Sequence, residues 1–371
     1  MEKAGITIFF TFLKYNLGGK EEMNKVIADI DWKQLYAFSS DQAILGLCFE
    51  GVERLGREYP DELKQNPIRR ELLMTWMAKA QQIRWQNKNV NGVAVKLYSK
   101  FREDGLQCCI LKGQGNALMY PNPYSRTPGD MDVWVNASRE EITEYAKRHF
   151  KLKDDIRFHH LETSFDGVPV ELHFFPGIMN NPIYNARLQK WFKRNVDLQC
   201  SNVVSLPDGI GEIAIPTTAF NVIYQLTHLY HHFFDEGIGI RQITDYYYVV
   251  NNNELLVVRD ALQKELKHLG LWKFARAVMY VLHEALGLSE EKMIAPMDEK
   301  RGKLLLAEIL NGGNFGQHFT KYGHFTQQGM AKKYFLKIWR NMHFVRYYPA
   351  EALSEPIFRT WHFFWRMKNK K

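Results

Sequence analysis

Two aspartates, Asp130 and Asp132, stand two residues apart at the start of the apolar run Met131-Asp132-Val133-Trp134-Val135. Side chains alternate faces along a strand, so both carboxylates project together while Met131, Val133 and Val135 face a core. Like charges held side by side are destabilising. A divalent cation offsets that cost, and Mg²⁺ takes carboxylate oxygens together with substrate phosphates. A second stretch, Val168-Pro169-Val170-Glu171-Leu172-His173-Phe174, puts Glu171 and His173 on one face, with Val170, Leu172 and Phe174 on the other. If the two strands are neighbours, Glu171 completes a cluster with Asp130 and Asp132, and three acids on adjacent strands suit a two-metal site. Glu171 is then both ligand and candidate general base. The competing structural readings are a solvated Asp-x-Asp loop and a surface carboxylate on an amphipathic hairpin.

Upstream, Leu111-Lys112-Gly113-Gln114-Gly115-Asn116 reads as a strand-to-helix turn. Gly113 and Gly115 let backbone N–H groups approach a phosphate, and Lys112 adds charge. The same glycines also suit an ordinary tight turn. Downstream, His228, His231 and His232 fall at i, i+3, i+4 and share a helix face. Zinc would use such spacing, but no cysteine or acid stands at a matching interval, so cross-helix hydrogen bonding or cleft lining is the simpler reading. Arg241 and Asp245, one turn apart, read as an intrahelical ion pair. A sharper reading has His173, His228 and Arg241 lining the cleft that receives the nucleotide or acceptor.

These residues need elements to hold them. The pattern predicts a helical region over residues 1–104, a mixed α/β unit over 105–216 and a second helical region over 217–371. Met23, Val26, Ile27 and Ile30 follow helical spacing, with Ser40-Asp41 as the N-cap of the next helix. A long helix covers 69–103. In the middle unit, strands are predicted at 107–111, 131–135, 159–165 and 168–175, with Asp166-Gly167 as a hairpin turn. A helix runs from 113 to 120. Another, 138–150, opens with the capping box Ser138/Glu141. Residues 202–215 add strands at the sheet edge, and helices follow over 221–234, 238–250, 254–269 and 271–286.

Composition places limits on the class. Hydrophobic residues make up 46% and charged ones 24%, ordinary for a soluble globular protein. The apolar run 6–13 is too short for a bilayer, and no signal peptide or membrane helix is expected. Cys48, Cys108, Cys109 and Cys200 show no metal-ligand spacing and read as thiols of a reducing, cytoplasmic protein. The net charge of +8 matches the excess carried by residues 332–371. Trp339, Phe344, Tyr347, Tyr348, Trp361, Phe363, Phe364 and Trp365 are interleaved with that charge. Helices with inward aromatics account for this tail most simply; contact with an anionic surface or an acidic partner is the functional alternative.

The order Leu-Lys-Gly, Arg-x-x-Gly-Asp-x-Asp and Val-Glu-Leu-His resembles the uncharacterised bacterial nucleotidyltransferase family within the polymerase β-like superfamily. The likeness is best over residues 105–250. It implies an α+β fold, a small mixed-sheet nucleotidyltransferase core flanked by N-terminal and C-terminal helices. It also implies Mg²⁺ (or Mn²⁺) on Asp130, Asp132 and Glu171, and phosphate at Gly113. The superfamily's usual Gly-Ser turn is replaced here by Lys112-Gly113-Gln114-Gly115, and Lys112 and Arg126 stand in as phosphate-charge ligands.

The resulting expectation is transfer of a nucleoside monophosphate from an NTP to an unidentified acceptor by a two-metal mechanism. Two rivals remain. A metal-dependent glycosyltransferase also uses Asp-x-Asp, on a nucleotide sugar, but follows a longer run of alternating strands and helices. A catalytically degenerate nucleotide-binding or scaffold protein would keep the fold without turnover.

Overall fold

The computed structural model describes residues 3–152, 157–313 and 329–369. Five helices precede the sheet: α1 (Lys3–Asn16), α2 (Trp32–Asp41), α3 (Leu45–Glu58), α4 (Pro60–Gln65) and the 34-residue α5 (Arg70–Glu103). The helical spacing at 23–30 gives two short 3₁₀ turns, Met23–Lys25 and Ile27–Asp29, instead of a helix. The cap lies earlier than expected: Asp31 accepts from the Gln34 N–H at 3.0 Å and starts α2. Ser40-Asp41 therefore ends a helix rather than opening one. Asp104-Gly105 closes α5 as expected, with Gly105 at φ +79°.

The middle of the chain runs β1 (Cys108–Leu111), α6 (Gly113–Ala117), β2 (Met131–Val135), α7 (Arg139–His149), β3 (His160–Phe165), β4 (Val168–His173) and α8 (Pro182–Ser201). The α7 capping box forms, Ser138 and Glu141 each satisfying the other's backbone N–H. The sheet order is β1-β2-β4-β3, with β2 and β4 parallel and the outer pairs antiparallel. Asp166 (φ +45°) and Gly167 (φ +79°) make the two-residue turn between β3 and β4. Residues 202–215 do not extend this sheet. They form a separate hairpin, β5 (Val203–Ser205) with β6 (Glu212–Ala214).

Strand alternation divides the molecule's two cores. Ile110, Met131, Val133, Val170 and Leu172 pack on Val93, Ala94, Leu97 and Phe101 of α5 and on Ile142 and Ala146 of α7. The sheet's back wall thus comes from α5, inside the expected N-terminal region. The front face carries the acids, and its apolar members Cys109, Leu111 and Trp134 join the larger core. That core belongs to α1–α3 and to α9 (Thr218–Asp235), α10 (Ile240–Val250), α11 (Leu255–His268), α12 (Trp272–Leu286) and α13 (Glu299–Gly312). N-terminal and C-terminal helices therefore share one interior. Trp134 stacks on Phe220 of α9, centroids 5.8 Å apart.

The tail forms α14 (Met330–Met342) and α15 (Pro349–Asn369). Phe344 and Tyr348 are buried, and Trp361 and Trp365 pack edge-on to Phe158. Phe335, Trp339, Ile357, Phe363 and Phe364 are exposed, so only part of the aromatic set points inward. Among the described residues, no helix is long and apolar enough to cross a membrane.

Candidate functional site

The front of the sheet and helices α9 and α10 enclose a cleft of about 260 Å³. Lys112, Gly113, Arg126, Asp130, Asp132, Glu171, His173, His228 and Arg241 all line it. Register brings two acids together: Asp132 on β2 lies directly opposite Glu171 on β4. Asp132, Glu171 and His173 each offer a ligand atom, and the three atoms lie within 4.8 Å of one another. Asp130 sits just before β2 at the exposed end of this set.

Charge is tightly managed here. The Lys112 ammonium is 3.0 Å from Asp132 Oδ2 and 3.2 Å from His228 Nε2. His173 Nε2 donates to Asp132 Oδ1 at 2.9 Å and lies 3.3 Å from Glu171 Oε2. Burial opposes ionisation of Asp132, but Lys112 and His173 outweigh it and hold the carboxyl well below the usual range. Burial likewise acts against Glu171, yet the His173 hydrogen bond leads the opposing effects and brings it to about 2. Burial favours a neutral His173, while Asp132 and Glu171 raise it to about 9. Asp130 is pushed up to about 6, chiefly by the charge of Asp132. Glu171 is thus strongly held as an anion, which suits a ligand better than a general base working near neutrality.

Lys112 has φ +49°, a backbone region that non-glycine residues seldom adopt. The strain, of order 1–3 kcal/mol, accompanies a turn whose lysine reaches Asp132. Gly113 follows at φ +40° and lines the cleft. Gly115 does not. It is buried, and a Cβ there would lie 3.0 Å from the Ile215 side chain. Its small size serves packing, which corrects its expected phosphate-binding role. Arg126 is also differently employed. Its Nε and Nη2 donate to both oxygens of Asp245, each at 2.8 Å, and the Tyr120 hydroxyl donates to the same carboxylate at 2.8 Å. Asp245, paired by spacing with Arg241, is thus gripped across the fold by Arg126. Arg241 Nη1 donates to the Thr127 carbonyl at 3.4 Å.

Several cleft residues escape a motif-based reading. The hairpin places His160 opposite His173, and His160 Nδ1 lies 3.4 Å from Glu171 Oε2. The two-residue turn fixes that register, so the signal was available. His159, Arg157 and Asp235 line the cleft as well, whereas His231 and His232, also in the lining, are already marked by their shared helix face. Asp235 is clamped by Lys337 and Arg359, each at 2.8 Å, which ties the tail to the cleft wall. Asn116 accepts from Asn221 at 3.1 Å and Gln225 at 2.8 Å, fixing the turn after β1 to α9. Nothing in the local sequence signals those partners.

Residues 28–287 match the model of a family described as uncharacterised nucleotidyltransferase. Two solved structures are similar. One is an antigenic nucleotidyltransferase-like protein from Paracoccidioides brasiliensis, 16% identical over 48% of this chain and 89% of that one, with a TM-score of 0.29. The other is a CCA-adding enzyme in complex with CTP, 11% identical over 73% of this chain and 77% of that one, with a TM-score of 0.22. No curated protein matches the chain.

Proposed function

This chain belongs to the uncharacterised nucleotidyltransferase family, and we propose that it transfers a nucleoside monophosphate from an NTP to an acceptor hydroxyl or phosphate. The observation that carries the reading is the parallel pairing of Asp132 with Glu171 beside Asp130, with the Lys112 ammonium in contact with Asp132 in the same cleft. An acceptor oxygen forms a bond to the α-phosphorus, the bond to the β-phosphate oxygen breaks, and pyrophosphate leaves. The acceptor's proton passes to solvent water.

The donor set fits a hard divalent cation. The oxygens of Asp132 and Glu171 converge, and Asp130 beside them is pushed toward its neutral form by Asp132, a repulsion that a bound cation relieves. Asp130, Asp132 and Glu171 would hold it. When bound, such an ion supplies charge neutralisation for the phosphates and activation of the attacking oxygen. Lys112 now neutralises Asp132 and is placed to swing to a phosphate oxygen. Arg241 adds positive charge on the opposite wall. Arg126 positions the 126–130 loop through Asp245. His173 orients Glu171.

Calorimetry of the full chain with each NTP, with and without Mg²⁺, tests this. Expected is metal-dependent binding that Asp130→Asn and Asp132→Asn each abolish. Binding indifferent to Mg²⁺ or to both substitutions refutes the reading. Tighter binding of nucleotide sugars than of NTPs would favour the glycosyltransferase rival. Incubation with labelled NTP and cell extract then separates turnover, seen as a labelled acceptor, from a binding-only protein.

A further inference from the structure

Six histidines line the cleft, and three of them form a group of their own. His159, His160 and His173 each offer a ring nitrogen, and these nitrogens lie within 4.8 Å of one another. Ring centroids are 4.3 Å apart for His159–His160, 5.1 Å for His160–His173 and 5.7 Å for His159–His173. The β3–β4 hairpin creates the group, because its register sets His160 beside His173 and leaves His159 at the strand's entrance.

These rings are under-used. His160 and His173 are only 4% and 3% exposed. Yet Nδ1 of His159, both ring nitrogens of His160 and Nδ1 of His173 have no hydrogen-bond partner among the described residues. The approach of His160 Nδ1 to Glu171 lacks hydrogen-bond geometry. A buried polar atom without a partner costs about 1–3 kcal/mol, so four of them on one wall call for an explanation. His173 adds a second clue. Its Nε2 donates to Asp132, which leaves Nδ1 as its available donor atom. A carboxylate holding one imidazole nitrogen while the other binds a metal is a recurrent arrangement.

We propose that His159, His160 and His173 bind a transition-metal ion of the zinc class on the wall of the cleft. Imidazole nitrogens favour such ions, whereas Mg²⁺ prefers oxygen donors. Three protein ligands leave a coordination position open to the cleft. Glu171 Oε2, 3.3 Å from His173 Nε2 and 3.4 Å from His160 Nδ1, stands beside the triad as an additional donor. At a metal–nitrogen distance of about 2.1 Å, tetrahedral ligands sit about 3.4 Å apart, so the widest gap closes by somewhat over 1 Å. The proposal goes beyond the transfer reading, which needs only the carboxylates and is tested through nucleotide binding.

The full chain, stripped of metal, is titrated with Co²⁺ as a spectroscopic probe in the absence of nucleotide. Expected is one tightly bound equivalent with the visible absorption of imidazole-bound Co²⁺, displaced by Zn²⁺ but not by excess Mg²⁺. His159→Gln/His160→Gln lowers the affinity by more than about 100-fold, beyond the loss typical of a supporting residue. Asp130→Asn retains the Co²⁺ signal, which separates this site from nucleotide binding. Absence of the absorption in the unmodified chain, its displacement by Mg²⁺, or an unchanged affinity in the double variant overturns the proposal. If circular dichroism shows that the double variant does not fold, His159→Gln alone is read, because His159 is the least buried of the three. A loss of about tenfold or more then supports the site, and a smaller change overturns it.

Discussion

The Arg126–Asp245 pair gives the sharpest energetic test of how the cleft is built. Both side chains are 6–7% exposed, and the contact is bidentate at 2.8 Å. Taking two charges out of water is expensive, and the pair stands only because each neutralises the other. Asp245→Ala leaves a buried guanidinium unpaired, which costs about 3–5 kcal/mol. Tyr120 loses its acceptor as well, adding about 1 kcal/mol. Arg126→Met/Asp245→Leu removes both charges and should recover much of that loss. Urea denaturation of the wild type, both singles and the double completes the cycle, with an expected coupling above about 2 kcal/mol. Singles that cost less than about 1 kcal/mol, or that simply add, refute the reasoning. The same double variant tests function. Asp245 occupies the Nε and Nη2 donors of Arg126, so Mg²⁺-dependent NTP affinity should stay within a few-fold. A loss beyond about tenfold would show that Arg126 serves nucleotide binding, by reaching phosphate or by holding the loop that carries Asp130.

Other expectations concern the C-terminal helices. Glu351 at the start of α15 is buried and accepts from the Asn180 and Asn181 N–H groups, beside Glu355. Burial outweighs those donors and raises its carboxyl to about 7. Its favourable contribution is complete below the unfolded pKa and is lost as pH rises toward and through 7, by an amount on the order of 3 kcal/mol. Glu351→Gln should remove that slope from denaturation curves taken between pH 4 and 8, and an unaltered slope would contradict the assignment. Gly302 in α13 faces Tyr280 of α12, whose Cβ would lie 2.4 Å from a new Cβ. Gly302→Ala should therefore cost about 1–3 kcal/mol in the same assay, and a neutral result would show that the α12–α13 contact yields. The exposed Phe335, Trp339, Ile357, Phe363 and Phe364, set among basic residues, also suit an anionic lipid surface. Co-sedimentation with vesicles containing anionic lipid, absent with neutral vesicles, is expected; equal behaviour with both removes that role.

Local signals in the sequence were read well where local physics decides the outcome. Ser138 and Glu141 make their capping box, and Asp166-Gly167 makes the tight hairpin turn, because each depends on a few adjacent residues. The face shared by Glu171 and His173 follows from alternation alone. Long-range partnership was not legible. Arg126 and Asp245 are 119 residues apart in sequence, and only the packed fold reveals that the guanidinium is already committed. Gly115 looked like a phosphate glycine because its turn chemistry is right, but Ile215, from a distant segment, takes the space beside it. The 23–30 spacing misled for another reason: burial of Met23, Ile27 and Ile30 is compatible with successive 3₁₀ turns, and the Asp31 cap starts the helix only after them.

The feature that decides the site is the register of β4. Parallel neighbours cannot be joined by a tight turn, so the chain leaves β2, crosses through α7, and returns by way of β3. Only then does Glu171 arrive opposite Asp132. A one-residue slip would turn Glu171 into the apolar wall formed with α5 and bring Leu172 out into the cleft. The slip is opposed from both sides. Val168, Val170 and Leu172 are all buried on the back face, and the left-handed pair Asp166-Gly167 fixes β3 against β4. The same lock places His160 beside His173. The turn thus sets the imidazole of His160 beside His173, and the parallel β2–β4 register sets Asp132 beside Glu171, so that β4 joins carboxylates and imidazoles on one surface.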